Sequence, residues 1–395
     1  TFRNLGTIAS FRDKMIGGMV RRGYETAFAE RCFAQIEGFG SYGFPESHAQ
    51  SFARLVYVSA WIKCHQPAVF ACALLNSQPM GFYAPAQLVR DARQHGVEVR
   101  PVDANHSAWD STLEAASGDW TSKDGTSKVW ALRLGLRQIT GFRREWACAI
   151  EAARAGGGFT SIEDLARRAH VPQAALRLLA DADALRSLGL NARQALWEVR
   201  RLPGDELPLF AAMQAREMGQ EVAAPLPALT LGEEVAGDYQ TTRLSLKAHP
   251  MALLRSRFDA EGVMPCACLH EVKSGTKVRI AGVVLVRQRP GKGKAVFITI
   301  EDEEGIANIV LWASELERWR RAVMTSRVMR VEGVVEHSRE GVTHIIANQI
   351  IDHSAWLAGL GVPDEADGAG TGPMTPLRAS HPRNVRLLPR SRDFH

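Results

Sequence analysis

The apolar residues near the start of the chain recur with the spacing of a buried helix. Between Ala49 and Trp61 they lie three, four and seven positions apart, at Ala49, Phe52, Ala53, Val56, Tyr57, Ala60 and Trp61. Ser47 precedes them as the predicted N-cap, and Gln50 follows it at capping-box spacing. The pattern predicts a core helix with one buried face, entered from a glycine-aromatic loop. The alternative is a helix whose polar edge, with Ser47 and Arg54, contacts phosphate.

From Lys277 onward the period of the apolar residues changes to that of strands. Five strands are predicted, containing Val278 and Ile280, Val296 to Ile300, Ile309 and Leu311, Val328 to Val335, and Val342 to Ile350. A helix from Ser314 to Met324 separates the third strand from the fourth. This order is that of an OB-fold, a small barrel that binds single-stranded nucleic acid.

The predicted barrel has basic and aromatic residues where OB-folds commonly bind oligonucleotides. Its first connecting loop, from Arg287 to Lys294, is basic and flexible, so Arg289, Lys292 and Lys294 are predicted DNA contacts. Phe297 and Trp312 are interpreted either as stacking platforms for bases or as core residues.

Short helices joined at glycines lie between these two regions. LRLGLRQITGFRREWACAIEAAR predicts a helical hairpin around Gly141, and LADADALRSLGLNARQAL predicts a second around Gly189. A tight glycine turn exposes backbone N–H groups at a helix N-terminus, where they bind DNA phosphate without reading sequence. The predicted DNA contacts are Gly141, Arg143 and Arg144 in the first hairpin, and Gly189 and Arg193 in the second.

The run Glu301-Asp302-Glu303-Glu304 is predicted to form a solvated turn between two strands. Consecutive acidic residues before a glycine, here Gly305, are ordinary turn chemistry, so a metal site is not expected. The six cysteines contain no CxxC pair and are predicted to be reduced, structural thiols. No metal site is therefore predicted anywhere in the chain.

Charge favours an anionic partner. The formal net charge is +5 and the pI is about 9.0. Residues 131–202 contain twelve arginines and no lysine against seven acidic residues, and the last fifteen residues contain four arginines. This distribution is typical of phosphate binding. No apolar run approaches the roughly 18 residues of a membrane span, so a cytoplasmic location is expected.

Three strings resemble one known family. YGFPESHAQSFARLVYVSAWIKCHQPAVFACALLNSQPMGFY is similar to the fingers region of bacterial C-family DNA polymerases, the family of the replicative alpha subunit. It resembles most closely the error-prone, damage-inducible branch. RQRPGKGKAVFITIEDEEGIANIVLW and the ending SHPRNVRLLPRSRDFH agree with this resemblance, which covers the chain from about Phe11 to its end.

The resemblance implies a multidomain α+β protein with five parts. These are the late fingers region (1–130), a tandem helix-hairpin-helix domain (131–202), a connector (203–270), an OB-fold barrel (271–355), and a linker with a basic tail (356–395). Ser47, His48, Arg54 and Lys63 are predicted nucleotide or template contacts. Leu207, Leu209 and Phe210 resemble a sliding-clamp motif in which Glu206 replaces the usual Gln; the alternative is a linker that packs on its own domain.

No position matches the palm motif of the family, so no catalytic residue and no bound cofactor are predicted in this chain. The expected function is that of the C-terminal DNA- and nucleotide-holding part of an error-prone polymerase in damage-induced mutagenesis and translesion synthesis. The complete enzyme is expected to use Mg²⁺ and dNTP, whereas this chain alone is expected to be inactive. Expected partners are primer-template and single-stranded DNA, the sliding clamp and other mutagenesis proteins. The alternatives are a palm-less DNA-binding or scaffold protein and a remnant of a replicative alpha subunit.

Overall fold

The computed structural model describes residues 11–42, 45–80, 83–117, 130–202, 226–289, 293–338, 341–360 and 392–394, with only the backbone for 38–48 and 392–394. The chain forms two compact units, 1–70 and 71–395. Among the described residues, no helix is long and apolar enough to cross a membrane.

The first unit is helical. It contains α1 (Arg12–Arg21), α2 (Thr26–Tyr42), α3 (Pro45–His65) and the first residues of α4 (Pro67–Asn76). Helix α3 begins at Pro45, so the prediction of Ser47 as its N-cap is wrong. Proline is well suited to a first helical turn because its missing N–H is not needed there. The predicted glycine-aromatic loop is also wrong up to Tyr42, since α2 continues through that stretch.

The apolar face of α3 is exposed, which contradicts the predicted burial. Tyr57 is 72% exposed, Val56 is 61% exposed and Trp61 is 51% exposed. The predicted helical spacing is confirmed, because these residues lie in one continuous helix. Spacing identifies which face is apolar, but it does not identify what covers that face.

The second unit opens with a small sheet followed by the helical hairpins. After α5 (Pro85–Gln94), strands β1 (Val99–Arg100), β2 (Thr112–Ala115) and β3 (Trp130–Arg133) form a sheet in the order β1-β3-β2. Helices α6 (Arg144–Arg154), α7 (Ile162–Ala169), α8 (Gln173–Asp181) and α9 (Ala192–Arg201) follow. Their amphipathic faces bury Ile150, Leu165, Leu176 and Leu179 completely or nearly so. The prediction of helix-hairpin-helix structure is confirmed.

Two helices and a 3₁₀ segment lead from the hairpins to the barrel. Helix α10 (Leu231–Thr241) begins at a capping box formed by Thr230 and Glu233. Helix α11 (Pro250–Ala260) follows, and a 3₁₀ segment extends over Cys266–Glu271.

The predicted five-stranded OB-fold barrel is confirmed. Its elements are β4 (Lys277–Gln288), β5 (Ala295–Glu301), β6 (Ile306–Trp312), α12 (Ala313–Thr325), β7 (Val328–His337) and β8 (Thr343–Asp352). The strand order is β5-β6-β8-β7-β4, and β4 also pairs with β5, which closes the barrel. Strand β4 pairs with β7 from Lys277 to Val283 and with β5 from Val283 to Gln288, and its register with β5 shifts between Val284 and Val286. A short helix, α13 (Ser354–Gly359), follows, and β9 (Arg392–Phe394) pairs with β4 in parallel.

The acidic turn between β5 and β6 is solvated only in part, since Glu304 is exposed but Glu301 and Asp302 are buried, which corrects the prediction of a solvated turn. Asp302 is fully buried and Glu301 is 7% exposed. Arg90 on α5 contacts Glu301 at 2.6 Å, and Arg255 on α11 contacts Asp302 at 3.0 Å and also pairs with Glu303. Arginines from two helices therefore neutralise the turn and attach the barrel to them.

The charge of Glu301 is stabilised despite its burial. Burial by itself would raise the pKa of this carboxyl, but the interaction with His249 and the positive charge of Arg90 outweigh burial and lower the pKa below its ordinary value. Glu301 is therefore ionised at neutral pH, as the ion pair with Arg90 requires.

Candidate nucleic-acid interface

The first glycine hairpin leads into a helix N-terminus that no side chain caps. Gly141 has a φ of 83°, the left-handed conformation that glycine adopts without strain. The next helix, α6, has Arg143 as its N-cap residue, with no side-chain cap hydrogen bond. Its first-turn N–H groups therefore have no acceptor from the capping side chain, and the helix dipole makes this end positive. This geometry suits a phosphate oxygen.

Side chains around this hairpin add positive charge and hold the turn in place. The Arg143 guanidinium lies over the Trp146 ring, 5.1 Å from its centroid, and Arg144 is exposed. Phe142 is buried and packs edge-on against Trp146, with ring centroids 5.5 Å apart. The structure therefore brings the predicted contacts of this hairpin together at one helix end.

The second hairpin has the same glycine geometry but a capped helix. Gly189 has a φ of 75°. Asn191 caps α9 by accepting a hydrogen bond from the Gln194 N–H at 2.9 Å, and the Gln194 side chain completes the capping box. Arg193 donates to Glu233 at 3.0 Å. DNA contact by Gly189 and Arg193 stays a prediction, because both the helix end and the arginine already have partners inside the protein.

The outer face of β5 and β6 exposes the two predicted stacking residues. Phe297 is 43% exposed and Trp312 is 48% exposed, so neither is a core residue. Phe297 lies opposite Val310, two residues before Trp312, so the two aromatics are diagonal neighbours on one face. Diagonal neighbours of this kind are about 7–8 Å apart, within reach of large side chains. This face is the one on which OB-folds bind oligonucleotides.

The first connecting loop borders this aromatic face. Lys294 is exposed immediately before β5, and the Arg289 Nε donates to the Gly293 carbonyl at 3.2 Å. Lys292 lies outside the described residues. Gln288 lies opposite Phe297 on β4, and sequence reasoning missed it as a neighbour of the aromatic face. Counting the two-residue period of β4 up to the loop would have placed it there.

Arg287, which was assigned to the loop, lies inside β4 instead. It is 7% exposed and donates to the Ser326 carbonyl. A buried arginine of this kind secures the barrel and does not contribute charge to the loop.

The predicted nucleotide contacts of the fingers region belong to the first unit. Arg54 is exposed on α3, and Lys63 is half-buried near the end of that helix. Ser47 and His48 lie in the first turn of α3, but their side chains fall outside the described part of the structure. Their role stays a prediction.

The sliding-clamp candidates Leu207, Leu209 and Phe210 lie outside the described residues. Within the described ranges, no group of three or more His, Cys, Asp or Glu side chains could hold a metal ion. The described residues therefore do not fit the metal ions that a DNA polymerase uses for nucleotidyl transfer.

Two family models match the regions described above. The helix-hairpin-helix motif matches residues 96–195, and the OB-fold nucleic acid binding domain matches residues 278–352. The second match includes the aromatic face and the loop before it.

Curated relatives match the whole chain. An error-prone DNA polymerase of Rhodopseudomonas palustris strain CGA009 is 53% identical over 100% of this chain and 36% of its own length. An error-prone DNA polymerase of Brucella abortus is also 53% identical, with the same coverage of both chains. Among solved structures, asparaginyl-tRNA synthetase from Pyrococcus horikoshii matches 23% of this chain and 22% of its own at 27% identity, with a TM-score of 0.20. The chain spans about a third of the length of the curated relatives, and over that whole span it is similar to proteins named error-prone DNA polymerase.

Proposed function

We propose that this chain holds DNA for an error-prone DNA polymerase. The uncapped N-terminus of α6, with Arg143 and Arg144, binds a backbone phosphate of the primer-template duplex. The outer face of β5 and β6 stacks bases of the single-stranded template on Phe297 and Trp312. The observation that carries the proposal is this exposed aromatic pair beside a basic loop.

In this proposal, nucleotidyl transfer is catalysed by the part of the polymerase that this chain does not match. That part would hold Mg²⁺. The dNTP or the template is proposed to contact Ser47, His48, Arg54 and Lys63 of this chain. The complete protein would act in the cytoplasm in damage-induced mutagenesis and translesion synthesis. The segment 203–225 is proposed to engage the sliding clamp through Leu207, Leu209 and Phe210, and other mutagenesis proteins are further proposed partners. The domain limits proposed for the DNA-holding parts are 131–202 and 271–355.

Binding of a fluorescent oligo(dT) tests the aromatic face. The double variant Phe297→Ala, Trp312→Ala should weaken binding by roughly tenfold or more, since stacking contributes about 1–3 kcal/mol per base. Ile306→Ala is the matched control, because Ile306 is a large exposed residue at the other end of β6. Anisotropy titration measures the affinity. Equal affinity of the double variant and the control would remove the stacking role.

Binding of a primer-template duplex tests the first hairpin. The double variant Arg143→Gln, Arg144→Gln should lower the affinity for duplexes of every sequence. The slope of log K against log salt concentration should become less steep by about one to two. Arg167→Gln is the control, because Arg167 is a strongly exposed arginine on α7. An unchanged slope in the double variant would exclude the hairpin as a phosphate contact.

A further inference from the structure

A cavity on the barrel lies away from the β5–β6 face. It has a volume of about 810 Å³ and opens between β4, β7, β8 and α12. The residues that line it include Lys277, Arg279, Arg318, Trp319, Glu332 and Asn348. Pockets for small ligands are commonly about 300–1,000 Å³, so one nucleotide fits in this volume.

The lining of this cavity has an excess of positive charge. Its one carboxylate, Glu332, pairs with Arg279 at 3.1 Å. Lys277 is exposed at the start of β4 and has no ion pair with any described residue. The side chain of Arg318 is 70% exposed on α12, with its nearest carboxylate, that of Glu315, 3.9 Å away. Two cations on different elements are therefore available to an anion.

Trp319 provides an aromatic ring and a donor at the same place. Its ring packs partly against the barrel core, and the Arg318 guanidinium lies 5.0 Å from the ring centroid. Its indole N–H is buried and has no hydrogen-bond partner among the described residues. Buried indole N–H groups usually have a partner, so this donor lacks the acceptor that a ligand oxygen would supply.

We propose that this cavity binds one nucleotide of single-stranded DNA. Lys277 and Arg318 contact its phosphate, and a base or phosphate oxygen accepts the hydrogen bond from the Trp319 indole. The inference rests on the proposed function, since it gives the OB-fold a second contact with the same strand. A free nucleotide has the same chemistry, and a separate arm of the test distinguishes the two sources.

Acylation footprinting of lysines tests this proposal and the aromatic face separately. The chain is treated with an amine-acylating reagent alone, with saturating oligo(dT) of 20 nucleotides, and with free dTMP, and modification is measured by mass spectrometry. We expect oligo(dT) to protect both Lys277 and Lys294, and dTMP at the same nucleotide concentration to protect neither. Protection of Lys294 without Lys277 would overturn the cavity site but leave the proposed function intact. Protection of neither lysine by bound oligo(dT) would overturn both, and protection of Lys277 by dTMP alone would overturn the assignment to a strand.

Two substitutions with matched controls measure the contribution of the cavity. Arg318→Gln should make the salt dependence of oligo(dT) binding less steep by about 0.7, the value for one phosphate contact on a single strand. Arg320→Gln, on the same helix but outside the cavity lining, should not change it.

Trp319→Phe keeps an aromatic ring and removes the N–H, and should lower the affinity for oligo(dT) roughly two- to tenfold. Trp197→Phe, an exposed tryptophan on α9, is its control. Affinities and slopes equal to those of the controls would refute the site.

Discussion

Replacing Asp302 with alanine removes the centre of the buried turn between β5 and β6. One carboxylate oxygen accepts hydrogen bonds from the N–H groups of Glu304 and Gly305, at 2.9 and 2.7 Å. The other accepts from the N–H of Cys266 at 2.7 Å and from Arg255 at 3.0 Å. Asp302→Ala leaves three backbone donors without an acceptor and removes one partner of a buried ion pair.

The expected loss of stability is about 3–5 kcal/mol, the usual cost of removing one partner from a buried pair. Arg255 keeps its contact with Glu303, which limits the charge penalty, while the three N–H groups add desolvation costs of their own. A loss of this size corresponds to roughly a hundred- to several-thousandfold increase in local opening. The effect should be concentrated in the turn and in the 3₁₀ segment that begins at Cys266.

Hydrogen exchange measured by mass spectrometry checks this prediction. Peptides containing Cys266 and Gly305 should lose protection in Asp302→Ala, while peptides from α8 should keep it. Asp259→Ala is the control, because Asp259 is an exposed carboxylate on α11, close in sequence to Arg255. The refuting result is a protection factor of the turn peptides in Asp302→Ala that differs by less than threefold from that in Asp259→Ala. The buried carboxylate would then not hold the barrel in place.

Three further predictions follow from the same part of the molecule. Because the folded-state pKa of Glu301 is lowered, its contribution to stability is complete above its unfolded pKa, near its ordinary value of 4.5, and is lost as the pH falls through the folded value. Glu301→Gln should therefore flatten the dependence of the urea midpoint on pH below about 5. Gly282→Ala should lower that midpoint at neutral pH, because a Cβ would lie 2.7 Å from the Glu301 carbonyl oxygen. Burial raises the pKa of the Cys266 thiol, so Ellman's reagent should label exposed Cys148 in the native chain and leave Cys266 unmodified until unfolding.

The barrel could be predicted from the sequence because the pattern that specifies each strand lies within the strand itself. Strands with a period of two, such as Val296 to Ile300, fix which side chains face the core, and the order of strands and helix allows few topologies. The helix predicted at Ser314–Met324 is found at Ala313–Thr325, within one residue at each end. Periodicity did not decide whether Phe297 and Trp312 face the core or the surface. The register places them on one face of the sheet, and their exposure shows that this face is the surface.

The acidic turn could not be predicted because its partners are remote. Arg90 donates to the Asp302 carbonyl from 212 residues away, and Arg255 lies 47 residues before Asp302. Local chemistry correctly identified a turn, since Asp302 does accept hydrogen bonds from the N–H groups of the residues after it. The turn is partly buried by tertiary contacts with residues remote in sequence, and a local sequence pattern does not reveal such contacts.

The sequence contains a signal that distinguishes the two hairpins. Both turns have a glycine with positive φ, so glycine alone does not distinguish them. The residue that precedes each helix distinguishes the two hairpins. Asn191, with Gln194 three residues later, forms a capping box and occupies the N–H groups of its helix from within, whereas Arg143 has no acceptor to offer. An uncapped helix end leaves its donors for an external anion, and an arginine at that position favours the anion further. Of two hairpins that look alike in spacing, the first therefore has the free donors and the charge that phosphate binding requires, and the second has the cap that a structural helix requires.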